Sequence, residues 1–116
     1  VVKGLAFAAY SVRDVPAAIA FYRDVMGFTP GDIFSEHWAE FTVGQITFGI
    51  GNGEPLGIVP GSSFALTFEV DDVTAERDRL LAAGVPVTDL MEAPNCRSAF
   101  VTDPEGNKFG IHQRKS

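Results

Sequence analysis

The chain has 116 residues and a mass of 12.5 kDa, with 46% hydrophobic residues and a formal charge of −6. That length fits one compact domain with enough apolar content to fill a core, which excludes a disordered linker, and the acidic balance disfavours nucleic acid and anionic membranes as partners. No apolar run nears the ~18 residues that cross a bilayer, "VVKGLAFAAY" lacks the pattern of a signal peptide, and the lone Cys96 allows no intramolecular disulfide, so the expectation is a soluble, cytoplasmic protein.

"GLAFAAYSV", residues 4–12, reads as a strand, and "RDVPAAIAFYRDVMG" as the helix after it. Asp14 is placed to cap that helix, Pro16 falls in the tolerant first turn, and Gly27 ends it. Its expected buried stripe is Val15, Ala18, Ile19, Tyr22 and Met26. "FTPGDIF", "WAEFTV" and "ITFGI" supply three further strands. In "EHWAEF", Ala39 and Phe41 are expected against the helix, which turns Trp38 and Glu40 to the opposite face and His37 away from them. "GNGEPLGIVPGSS", residues 51–63, has the glycines and prolines of a linker.

"FALTFEV", residues 64–70, alternates: Phe64, Leu66, Phe68 and Val70 share one face, Ala65, Thr67 and Glu69 the other. "DDVTAERDRLLAAG" then predicts a helix from about Val73 to Ala83, capped by Asp72 and closed by Gly84, with Val73, Leu80 and Leu81 as its apolar side. "VPVTDL", "RSAFVT" and "KFGIH" are the last three strands, the final two joined by a turn at "DPEGN". Within "RSAFVT", Ser98 and Phe100 are expected toward the helix, with Arg97 and Ala99 on the other side.

The halves match in order. Val12-Arg13-Asp14-Val15 aligns with Val70-Asp71-Asp72-Val73 at a spacing of 58, and "TFGIG" at 47–51 aligns with "KFGIH" at 108–112 at a spacing of 61. The chain therefore reads as a tandem duplication of class α+β: one domain of two βαβββ modules, 1–50 and 64–116, joined by the linker 51–63. One helix covers one side of a four-stranded sheet, so the other side must meet solvent, a second unit or a ligand, and two such curved mixed sheets make a concave cleft.

Tandem βαβββ modules carrying "VRDVPAAIAFYRDVMGF", "VDDV", "AAGV" and "DPEGNKFGIH" in this order resemble the vicinal oxygen chelate superfamily, which includes glyoxalase I, extradiol dioxygenases and bleomycin-resistance proteins. The resemblance covers essentially the whole chain. It implies metal ligands, His, Gln or Glu, on the first and last strand of each module. Carried over, those positions are Phe7, Gly49, Ala65 and Gly110, none with a side-chain donor. The expectation is accordingly no metal and no cofactor at the usual place. The resemblance also implies a homodimer.

Strand parity puts Phe7, Ala9, Thr47, Gly49, Ala65, Thr67, Lys108, Gly110 and His112 on the concave side. Small residues there clear volume for a small-molecule site; the alternative is that they only let two sheets approach closely. Trp38 is a candidate stacking surface, with Phe7 and Phe34 as partners, or else it fills apolar space or a subunit interface. Arg97, Lys108 and His112 are candidates for one wall and Glu40 for the facing one, and His112 with Glu40 is the pair to weigh for acid–base chemistry. The functional expectation is a metal-free protein that binds, and sequesters, an aromatic or cationic small molecule such as an antibiotic. The alternatives are a glyoxalase, isomerase or dioxygenase with an atypical site, and an interaction module with a filled groove.

Overall fold

Two aspartates start the two helices in the same way. Asp14 accepts the Ala17 N–H at 3.0 Å ahead of α1 (Val15–Ala20), and Asp72 accepts the Ala75 N–H at 3.0 Å ahead of α2 (Val73–Ala82). Each carboxylate satisfies a donor that no helical carbonyl reaches. Past the helices, Gly27 and Gly84 sit at φ of 75° and 81°, backbone that an L side chain disfavours. The computed structural model describes residues 3, 5–61 and 66–115. By its contacts the chain divides into two units, Val1–Pro60 and Gly61–Ser116.

The first unit runs β1 (Ala8–Ser11), α1, a π-helical turn (Phe21–Val25), β2 (Thr29–Phe34), β3 (Trp38–Val43) and β4 (Ile46–Gly51). Its sheet has the order β1-β4-β3-β2, with β1 parallel to β4 and the other pairs antiparallel. The second unit runs β5 (Leu66–Glu69), α2, β6 (Met91–Ala93), β7 (Cys96–Thr102) and β8 (Lys108–Arg114), in the order β5-β8-β7-β6 and with the same directions. The spacings seen in the sequence recur in the pairing: Ala9 faces Gly49 as Thr67 faces Gly110. Likewise the Val12 N–H donates to the Gly51 carbonyl at 2.9 Å and the Val70 N–H to that of His112 at 2.8 Å. Among the described residues no helix is long and apolar enough to cross a membrane.

α1 packs on β3 and β4 of its own unit. Tyr22 is the centre of that core, fully buried with ring centroids 5.0 Å from Phe48, 5.6 Å from Phe28 and 6.4 Å from Phe41. The π turn, in which the Met26 N–H donates to the Phe21 carbonyl at 2.9 Å, admits an extra residue, and the neighbours Phe21 and Tyr22 on it are both buried. A stripe of period 3.6 picks Tyr22 and omits Phe21, whereas Ile19 and Met26, which it does pick, are only half-buried.

In the second unit α2 lies on β7 and β8 over Val73, Leu80, Ala99, Val101, Phe109 and Ile111, all fully buried. Three expectations are corrected here. Leu81 is 41% exposed, because the helix turns it past the edge of the apolar stripe. "VPVTDL" is not a regular strand. The Thr102 N–H reaches the Pro86 carbonyl, but the Phe100 N–H is taken by the Thr88 hydroxyl at 2.9 Å and Arg77 from α2 claims the Thr88 carbonyl at 2.7 Å. Regular pairing resumes at Met91–Ala93. Third, β7 has the opposite parity: Ala99 pairs with Ile111 and Val101 with Phe109 in the core, so Phe100, opposite Gly110, is on the outer face. Phe64 and Ala65 lie outside the described residues.

Candidate functional site

On the outer face of the first sheet, β3 and β4 pair Trp38 with Gly51 and Glu40 with Gly49. The Trp38 indole is folded down over both glycines. A Cβ on Gly49 would stand 2.4 Å from Cζ2 and one on Gly51 2.5 Å from Cε3, so only glycine leaves room for the ring at both places. Trp38 Nε1–H donates to Glu40 Oε2 at 2.8 Å, which fixes the ring's rotation. Phe7, just before β1, meets the indole edge-on with centroids 5.1 Å apart and planes at 65°.

Beside this aromatic pair is a cavity of about 300 Å³. Phe7, Ala9 and Trp38 line it from the sheet, and Leu56 and Ile58 from the segment after β4. Tyr10, Ser11, His37, Gly51, Asn52 and Gly53 complete the lining, and its surface is mainly apolar. A hollow of this kind suits the flat apolar body of an organic molecule.

The other candidates fall as follows. Gly49 does not open volume; the indole covers it. Glu40 lines a separate polar hollow of about 250 Å³, with Asp32, Thr42 and Thr47 among its neighbours, and reaches the aromatic pair only through the Trp38 bond. Phe34 is not Trp38's companion. A register shift in β2 pairs it with Ala39, and its ring meets Phe41 at 5.4 Å on the helix-facing side. His37 does line the cavity with Trp38, because it stands in the bend before β3, where strand alternation has not begun.

In the second unit Thr67, Lys108, Gly110 and His112 share the outer face, and the Thr67 side chain crowds the place of a Gly110 Cβ, its Oγ1 2.8 Å away. Arg97 does not share it. Paired with Gln113, it is on the other face, where its Nε meets Glu92 at 2.7 Å. His112 is partnered within its own unit: its Nδ1 is 2.5 Å from Glu69 Oε1. The Arg114 backbone N–H and then His112 hold the Glu69 carboxyl below the usual glutamate range. Glu40 and His112, weighed as an acid–base pair, are thus engaged separately, with Trp38 and with Glu69.

A metal does not fit the positions the resemblance assigned. Phe7 and Gly49 offer no donor and the indole covers 49, while Gly110 offers none and sits against Thr67. Ala65 is outside the described residues. No three His, Cys, Asp or Glu side chains among the described residues are grouped to share an ion.

Sequence reasoning missed Tyr10, Ser11, Gly51, Asn52, Gly53, Leu56 and Ile58 as cavity residues. The one signal was two aliphatic side chains, Leu56 and Ile58, in a stretch otherwise rich in turn formers.

The chain matches no curated protein. Among solved structures it is similar to TnmS3, an antibiotic binding protein from Streptomyces sp. CB03234, at 28% identity and a TM-score of 0.79, over 99% of this chain and 100% of that one. A glyoxalase/bleomycin resistance protein from the same strain is 30% identical with a TM-score of 0.76, over 93% and 100%. Lactoylglutathione lyase from Agrobacterium tumefaciens shares the fold, at 23% identity and a TM-score of 0.80 over 97% and 94%. A family model matches residues 4–111, and with two mixed four-stranded sheets built on βαβββ modules the chain belongs to the Glyoxalase/Bleomycin resistance protein/Dioxygenase superfamily.

Proposed function

We propose that this protein is a metal-free small-molecule-binding protein that sequesters an aromatic or cationic compound such as an antibiotic. The observation that carries the reading is the Phe7–Trp38 pair at the edge of an apolar cavity. An indole pinned by Glu40 is a rigid surface for a planar ring, and its electron-rich face also attracts a cation. The lack of donors at Phe7, Gly49 and Gly110 agrees with binding rather than metal-assisted chemistry, and the likeness to an antibiotic binding protein points the same way. A homodimer in the cytoplasm belongs to the same reading.

Trp38 is the only tryptophan, so its emission reports directly on the site. Titration with a panel of neutral and cationic aromatic compounds is expected to give saturable changes in that emission, and equilibrium dialysis of the same compounds is expected to show weaker binding to Trp38→Ala. A panel without one saturable response sinks the reading, and stoichiometric metal in the purified protein would favour the enzyme alternative.

A further inference from the structure

Leu56 and Ile58 are 80% and 54% exposed, yet both line the cavity. The backbone that displays them is tied down at several points. The Ser11 hydroxyl, on a 6% exposed residue, donates to the Ile58 carbonyl at 2.7 Å and accepts the Gly53 N–H at 3.0 Å. The Leu56 and Ile58 N–H groups both donate to the Gly53 carbonyl at 2.9 Å, and the Gly57 N–H to that of Glu54 at 2.9 Å. Asn52 caps the turn through the Glu54 N–H at 3.0 Å, and Arg13 meets the Glu54 carboxylate at 2.9 Å from outside. Gly53 has no room for a side chain, since a Cβ would stand 2.9 Å from that of Ile58. Residues 52–58 are thus a closed, cross-linked loop standing beside the cavity.

We propose that residues 52–58 form a second wall of the binding site, with Leu56 and Ile58 closing on a flat ring held against Trp38, and with Ser11 as the positioning residue that fixes the wall. The proposal rests on the reading of the cavity as a small-molecule site. It assigns to the loop the retention of the ligand: with the backbone already fixed in place, its apolar surface is covered on binding at the cost of ordering two side chains and not the loop.

The test uses the full chain and two ring probes, neutral 2-naphthol and cationic proflavine, read by Trp38 emission at equilibrium and in stopped flow. Leu56→Ala is expected to weaken the bound probe about tenfold, the scale of losing a few buried carbons. Ser11→Ala is expected to raise the dissociation rate with association nearly unchanged, a split that general destabilisation does not produce. Leu81→Ala, on the second unit's helix, serves as the control and is expected to bind as the parent does. If Leu56→Ala and Ile58→Ala bind like the parent while Trp38 still responds, the wall is refuted and the binding reading stands. If those variants alter only the sedimentation behaviour, the loop is a subunit contact and the wall is likewise refuted. If the parent responds to neither probe, wall and binding reading fall together.

Discussion

The indole of Trp38 occupies the space that a side chain on Gly49 would need, with 2.4 Å between Cζ2 and a Cβ built there. Gly49→Ala therefore drives the ring off the sheet. The expected result is a red-shifted Trp38 emission and a loss of about 1–3 kcal/mol in denaturant unfolding, the usual cost of overpacking. Parental emission and stability in that variant would show that the ring does not rest on the strand.

Glu40 acts on the cavity at one remove, through the indole N–H. Removing the acceptor in Glu40→Ala is expected to cost about 1 kcal/mol and to make Trp38 easier to quench with acrylamide. Glu40→Gln keeps an oxygen in reach and is expected to quench like the parent. Equal quenching in both variants would mean that the bond does not hold the ring.

The "DPEGN" turn is a buried polar knot. Asn107 is fully buried, accepts the Gly61 N–H at 2.9 Å and donates to Asp103 Oδ2 at 3.0 Å, while Asp103 Oδ1 accepts the N–H groups of Glu105 and Asn107. Asn107→Ala strips partners from buried groups and is expected to cost about 1–3 kcal/mol. A denaturant midpoint equal to the parent's would show that the side chain carries no such load.

Glu69 sets an acid limit on stability. Its carboxyl is held below the usual range by the Arg114 N–H first and His112 next, so the folded state keeps it ionised more readily than the unfolded state does. The sign follows: the contribution is complete above the unfolded pKa and disappears as pH falls through the lower, folded value. Glu69→Gln is expected to melt below the parent at neutral pH and to converge with it in acid. A gap in melting temperature that stays constant down to the most acid point would remove Glu69 as its source.

Much of the fold was legible because its signals are local. Asp14 and Asp72 precede apolar periodicity, glycines follow it, and the spacings of 58 and 61 return as strand pairs. What was misread depended on partners. Phe100 is the largest apolar side chain in its strand, yet the core takes Ala99 and Val101, because space beneath α2 and not size decides which face turns in. Arg97 followed that inversion out of the expected cluster. Phe34 moved with a register shift in β2, which no single strand reveals. For the site, Phe7 and Trp38 could be brought together from alternation alone, whereas Leu56 and Ile58 stand in a loop whose course is set by hydrogen bonds to Ser11, a residue forty-odd positions away.

The packing of Trp38 on Gly49 also constrains descent. A strand bearing a carboxylate or imidazole at position 49 has no berth for this indole, and a strand bearing the indole has none for such a group. Either group can be gained only after the other has gone, so the order of change is loss before gain, with a small residue at position 38 or 49 as the way through.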